Sequence, residues 1–390
     1  MKKSFILLAS VFLMIFLGIF IGISLLRSQM QMRLVQDRIN FLYAFYAAET
    51  GLELSLAELR RDIGWRAGFT NQSLTSSQGN TLGYYDVAVG DVDGDGVDDS
   101  YTQGSWIIVP LIGTGRNANR RITRQISAEA ITQSPTFFFI FTLGDLRIGK
   151  GADIGSSVLA RDIGFEPGQG TITVNGDVIY LRNLTGYDPQ NPQATPNITI
   201  QGDVYKGQPI TFVGVDLQRY KTLAQSGGRY IQGDFTITGD ISLQNLGTSN
   251  GLVYVEGDVY IEGDVQGSTL IVASGNIIIT GNIEYKNSGI QIGLFAGNDV
   301  IIANQAPDSL TVEGFLLADG GTVKAEGRKG SKDTLDFHGA ISVRGREGER
   351  TVIDLNAYRH RNYTYDQRLY NNPQIPFMAY IADLRRWQEI

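Results

Sequence analysis

Hydrophobic positions along the chain follow three successive patterns. From Phe5 to Leu26 the run FILLASVFLMIFLGIFIGISLL carries no charged side chain. At about 1.5 Å per residue, such a helix is just long enough to cross a hydrocarbon core of roughly 30 Å. The run is longer than the roughly 7–15 apolar residues of a cleavable signal peptide, and Leu25-Leu26-Arg27 offers no small-x-small site. A retained membrane anchor over residues 5–26 is expected. The apolar positions then continue through Met30, Leu34, Ile39, Leu42, Phe45, Ala48, Leu52, Leu56 and Leu59 at helical spacings. No proline precedes Pro110, and Gly64 supplies a stop. One helix from about residue 4 to 62 is predicted, on the order of 85 Å long, with an apolar stripe in its upper half that includes Leu52.

Past Gly64 the period falls to two. Leu82–Asp91 (LGYYDVAVGD) and Ser105–Ile112 (SWIIVPLI) read as strands joined by a loop, and Ile122–Ile131 adds a third. A small β-sheet packed on the upper helix is predicted.

From about Thr142 the texture changes again. Short apolar runs alternate with Gly-Asp or Gly-Asn, as at Gly176-Asp177, Gly202-Asp203 and Gly233-Asp234. The glycines at 233, 239, 257, 263, 275 and 281 are separated by multiples of six. A fixed period marks a repeat architecture, because one short strand cannot bury its apolar face alone and stacked copies can. The prediction is a parallel β-helix, favoured as right-handed with coils of about 18–24 residues, against a left-handed hexapeptide helix. The fold class is therefore mainly β with a long N-terminal α-helix: a transmembrane and amphipathic helix over 1–64, a small β-sheet head over 65–135, a parallel β-helix over 136–350 and a capping segment over 351–390. Ile381–Trp387 is expected to form a turn of helix over the last coil, since an open end exposes an unpaired edge.

Composition narrows the function. The net charge of -7 and the lack of a strongly basic patch argue against nucleic acid as a partner. No cysteine is present, so stability comes from packing and hydrogen-bond ladders. Two histidines, His338 and His360, give little room for a His-based metal site or triad. Lys2 and Lys3 before the span and Arg27, Arg33 and Arg38 after it leave its orientation unset. Gly18 and Gly22 form a small-xxx-small pair that permits close approach of another helix.

The candidate metal site is the acidic loop. Asp91, Asp93 and Asp95 stand at positions 1, 3 and 5, Gly96 at 6, Val97 (through its carbonyl) at 7 and Asp99 at 9. These are hard oxygen ligands in the spacing of a Ca²⁺ loop, although Thr102 replaces the bidentate glutamate at position 12. Carboxylates this close repel one another without a cation. The alternative is a solvated Asp-Gly turn. Asp234, Asp240, Asp258 and Asp264 follow glycines regularly. They read as turn chemistry rather than as the paired carboxylates of a glycosidase. Tyr254, Tyr260 and Tyr285 suggest a stacked ladder on one face, or a sugar-binding one. Arg116, Arg120, Arg121 and Arg124 read as a solvated strand face, or as a contact to an acidic partner. Phe137–Phe141 is too short for a second span and reads as a buried first strand of the β-helix.

Ala47–Leu56 (AAETGLELSL) resembles the "AAEAGLE" stretch that follows the membrane span in PilX-type minor pilins and in related pseudopilins of type II secretion. Ser4 stands where prepilins carry Gly before the cleaved bond, and Ala9 where the mature chain carries Glu, as in minor pilins found at filament tips. The D-x-D-G-D-G-x-x-D loop resembles the calcium loops of FG-GAP and thrombospondin-type repeats. Tyr365–Pro376 resembles the "YDPRL…PP" segment that closes bacterial surface proteins coupling such a helix to a β-helix, with Gln367 in place of the proline. The resemblance implies a single-pass protein of the inner membrane with its bulk outside the cytoplasm, structural rather than enzymatic. Its implied partners are membrane lipid, other pilin-like helices and surface polysaccharide. A tethered adhesin outside any filament and a polysaccharide-active β-helix enzyme are the alternatives.

Overall fold

The computed structural model describes residues 2–103, 105–168, 170–212, 214–345, 353–371 and 373–390, with side chains from Leu13 onward. The expected boundary at 350/351 lies outside the described residues.

Helix α1 runs unbroken from Lys2 to Arg61, about 90 Å at the standard rise. Its two halves have opposite surroundings. Ala44, Ala47, Ala48, Leu52, Ser55, Leu56 and Leu59 are buried, at spacings that repeat three, one or four and so mark one face. Large apolar side chains from Leu13 to Leu42 stay exposed.

What covers the upper half is an antiparallel sheet of β1 (Phe69–Thr75), β2 (Thr81–Val89), β3 (Tyr101–Gln103), β4 (Trp106–Asn117) and β5 (Thr123–Gln133). Alternation sets its inner face: Tyr85, Val87, Val109, Leu111, Ile126 and Ala128 point at the helix. Small residues let the layers approach. A Cβ on Gly115 would lie 1.9 Å from the Ala44 carbonyl oxygen, and one on Gly51 would lie 2.7 Å from Val87. The alanines and glycine of the AAETGLE stretch are thus the helix side of a helix–sheet contact. Leu52 is 2% exposed, so the upper stripe is already covered by this chain's own sheet and offers nothing to another helix.

The head's outer edge corrects the expected terminal helix. Ile381–Glu389 is a strand paired antiparallel with β5, from Ile381 opposite Gln133 to Glu389 opposite Ile126. Ile381 and Ala382 are buried. A strand satisfies the open edge of β5, which a helical turn could not do. Asp383 ties three segments together, meeting Arg60 at 3.1 Å and accepting from Thr211 Oγ1 at 2.9 Å. Three of the four clustered arginines are engaged within the head: Arg116 pairs with Asp86, Arg120 lies 4.4 Å over the Tyr84 ring, and Arg124 lies 3.9 Å over Phe41 and 3.4 Å from Glu389, while Arg121 is exposed.

The rest is a parallel β-solenoid. Tyr230 pairs with Tyr254 and Tyr254 with Val272, giving coils of 24 and 18 residues. Val272 pairs with Phe295, Phe295 with Leu317 and Leu317 with Ser342, giving 23, 22 and 25. The six-residue phase therefore belongs to the first coils only, and coil length is not held at 18 as a hexapeptide repeat requires. One corner carries a side-chain ladder. The backbone N–H of Asp258 donates to Asp234 Oδ1 (2.9 Å), that of Asn276 to Asp258 Oδ1 (2.7 Å), that of Asp299 to Asn276 Oδ1 (3.2 Å) and that of Thr322 to Asp299 Oδ1 (2.6 Å). Glycine precedes Asn276 because the Asp258 oxygen sits 2.2 Å from where a Gly275 Cβ would be.

The order of coils in space is not their order in sequence. Ser342, in the last of these coils, pairs with Phe141, and Phe141 with Leu159, Leu159 with Ile179 and Ile179 with Tyr205. The first-made coils thus stack on the last-made ones. After Lys206 the chain returns to the far end as a strap along the sheet. Phe212 stacks on Phe141 at 5.1 Å, and the helix Leu217–Gly227 places buried Tyr220 at 6.2 Å from Phe295, its hydroxyl donating to the Phe377 carbonyl at 3.1 Å. Head and solenoid meet at Trp106, whose ring lies 5.7 Å from buried Phe138. Phe138, Phe139 and Phe141 are buried, the first strand of the solenoid beginning at Ile140.

Candidate functional site

The acidic loop joins β2 to β3. Gly90, Gly94 and Gly96 hold positive φ (78°, 80° and 87°), which curls the backbone inward. Asp91 organises the curl: Oδ1 accepts from the Gly94 amide at 2.8 Å and Oδ2 from the Gly96 amide at 2.9 Å. Asp99 Oδ2 accepts from the Val92 amide at 3.1 Å and closes the loop. Carboxylate oxygens of Asp91, Asp93 and Asp99 lie within 4.8 Å of one another. Asp95 is outside that group, and its Oδ1 accepts from the Val97 amide at 2.8 Å. Thr102 sits in the β3–β4 ladder opposite Ile107. Asp98 turns away to Arg66 at 2.7 Å and braces the loop against the end of α1. Partial burial would raise its pKa, but hydrogen bonds from Ser100 and Arg66 prevail and bring it below the usual carboxylate range.

Asp240 stands in register with Asp264 on the next coil. Asp234 and Asp258 accept backbone amides of the next coil, and Asp264 pairs with Lys286 at 2.8 Å. The tyrosine ladder is Tyr230 on Tyr254, at 6.1 Å and 18°. Tyr260 instead pairs in register with Ile278. Tyr285 is turned in beneath Arg368, where burial pushes its pKa well up and its hydroxyl accepts the Ile292 amide at 3.3 Å. At another corner, burial of Asp162 is outweighed by hydrogen bonds from Arg182 and Asn183, which bring its pKa down to about 2.

A second candidate surface is on α1. Met32, Val35, Ile39, Leu42 and Tyr46 recur at spacings of three and four and are all exposed, Met32 by 70% and Ile39 by 37%. At 100° per residue this stripe lies on the side opposite the face that meets the sheet. The sequence reading merged the two faces into one, since Ile39 and Leu42 belong to the exposed stripe while Ala48, Leu52, Leu56 and Leu59 belong to the buried face. At 100° per residue these two sets fall on opposite sides of the helix. Below the stripe, the helix is long and apolar enough to cross a membrane.

No known protein family and no curated protein matches the chain. A solved structure similar to it is the competence-associated pilin ComZ from Thermus thermophilus, at 13% sequence identity and a TM-score of 0.36, over 90% of this chain and 97% of that one.

Proposed function

We propose that this chain is a single-pass, membrane-anchored structural subunit that packs against other pilin-like helices and displays its solenoid outside the membrane. The observation that carries the reading is the exposed stripe Met32–Tyr46. It lies between the expected lipid span and the head, is too apolar to stand alone in water, and has the three-four spacing by which helices interlock. The chain's own sheet covers only the opposite face, so the stripe is left for another helix. Arg27, Arg33 and Arg38 surround the stripe with charge, which suits a helix bundle above the bilayer rather than one buried in it.

Ile39→Arg together with Val35→Arg is expected to abolish co-purification of the chain with pilin-like subunits from its native membranes. The melting temperature of the head stays unchanged, because neither side chain touches the sheet. Retained association of the double variant would overturn the reading.

We further propose that Asp91, Asp93 and Asp99 take a Ca²⁺ ion: loop amides hold both oxygens of Asp91 and one each of Asp93 and Asp99, and each oxygen so held keeps a further lone pair for the ion. Millimolar Ca²⁺ is expected to raise the melting temperature of the head by several degrees, as binding to the folded state alone does. Chelator reverses the rise, and Asp93→Asn removes the response. A melting temperature indifferent to Ca²⁺ and chelator alike would sink the site.

A further inference from the structure

Where the two stacks of coils meet, the ladder is only half made. On one face Ile341, Ser342 and Val343 pair with Ile140, Phe141 and Thr142. The register of Ile140–Gly149 then shifts between Thr142 and Asp145, and Asp145–Gly149 pairs with Asp162–Glu166 alone. Across the seam Ile353–Asp354 pairs with Val323–Lys324 alone. Among the described residues, nothing pairs with the two edges that face each other. Between them opens a cleft of about 880 Å³. Alternate peptide groups of a parallel strand point to each of its neighbours, so an edge with one neighbour offers the other set unpaired.

The rim of the cleft has a sign opposite to that of the protein. Arg147, Lys150, Lys329, Arg359 and Arg361 line it against two carboxylates, Asp145 and Glu166. Both carboxylates are engaged, Glu166 with Arg147 at 3.1 Å and Asp145 with Arg161 at 2.9 Å. Among the described residues, Lys150, Lys329, Arg359 and Arg361 meet no carboxylate; Arg359 donates to the Gly330 carbonyl and Arg361 to Asn356 Oδ1. The chain as a whole is at -7, so this local excess of cations is a feature of the seam. The floor is apolar, with Leu146, Ile148 and Leu355 buried.

We propose that the seam binds an extended acidic peptide, which adds to the free edge of Asp145–Gly149 as a strand and sets its carboxylates against Lys150, Lys329, Arg359 and Arg361. Strand addition uses the unpaired amides and carbonyls for affinity and alternate side chains for selectivity. The edge itself alternates, Leu146 and Ile148 inward and Arg147 outward, so the fitting partner alternates apolar and acidic residues. A glycan would match the charge but not the backbone spacing of the edge. The proposal is independent of the membrane and helix-packing reading above.

The test uses the full chain in detergent micelles and a fluorescein-labelled heptapeptide of alternating Val and Glu, followed by anisotropy. Saturable binding is expected. It weakens at least tenfold in Lys150→Glu with Lys329→Glu, two exposed positions whose change leaves the melting temperature in place. It weakens at least tenfold again when alternate peptide nitrogens on the edge-facing side are methylated. No saturable binding would overturn the proposal. Equal binding of the methylated peptide would do so too, because charge alone would then suffice. Binding of oligogalacturonate in place of the peptide would assign the cleft to an anionic glycan instead.

Discussion

Replacing Gly115 by valine is expected to detach α1 from its sheet. The new Cβ would stand 1.9 Å from the Ala44 carbonyl oxygen and 2.5 Å from the Ala48 nitrogen, both helix backbone. A flexible side chain could rotate away, but a helix held by Ala44, Ala47, Ala48, Leu52, Leu56 and Leu59 along one face moves only as a whole. Overpacking of a core typically costs about 1–3 kcal/mol, and obstruction by backbone places this change at about 3 kcal/mol or above. Calorimetry of the full chain is expected to lose the head transition while the solenoid transition remains. Gly149→Ala is the control, since nothing lies within 4 Å of its added methyl group. An unshifted head transition in Gly115→Val would mean that the helix does not seat on β4 as described.

Termination after Tyr380 is expected to have an effect of similar size from the opposite edge. It removes the strand that covers β5, with buried Ile381 and Ala382, and it unties Asp383 from Arg60 and Thr211. Burial of the isoleucine accounts for about 2 kcal/mol. The lost ladder and the half-exposed ion pair bring the total to roughly 3–4 kcal/mol. Limited proteolysis reads the result: cleavage between residues 62 and 135 is expected to accelerate at least tenfold, with the solenoid still resistant. Unchanged protection of the head would refute the closing role of this strand.

Much of this was legible in the chain because the patterns are local. An uncharged run and unbroken helical spacing carry α1. Alternation around Leu82–Asp91 and Ser105–Ile112 carries the hairpin of the head, and Gly-Asp corners carry the solenoid. The acidic loop stands out by spacing alone; the structure gathers the carboxylates of Asp91, Asp93 and Asp99 and leaves that of Asp95 outside the group. What escaped is non-local. Ile381–Trp387 suits helix and strand equally, and only the open edge of β5, more than two hundred residues earlier in sequence, decides between them. The pairing of Ile341 with Ile140 has no local signature either, so neither the reversed stacking nor the seam between the stacks could be anticipated. Arg359 and Arg361 follow no sequence pattern that marks a site, because only the fold brings them to the cleft they line.

The closing strand also sets a timetable. β5 is complete at Gln133, yet its partner runs to Glu389, so during synthesis its outer edge stays bare until residue 389 has been made. At about 5–20 residues per second that wait is on the order of 10–50 s. Contact order is high for the same reason, and the head is expected to be the slow-folding part of the molecule despite lying first in the chain. Any chain broken off within the solenoid keeps an exposed β5 edge, an unpaired strand open to aggregation. Closure of the head therefore reports that translation has passed residue 389.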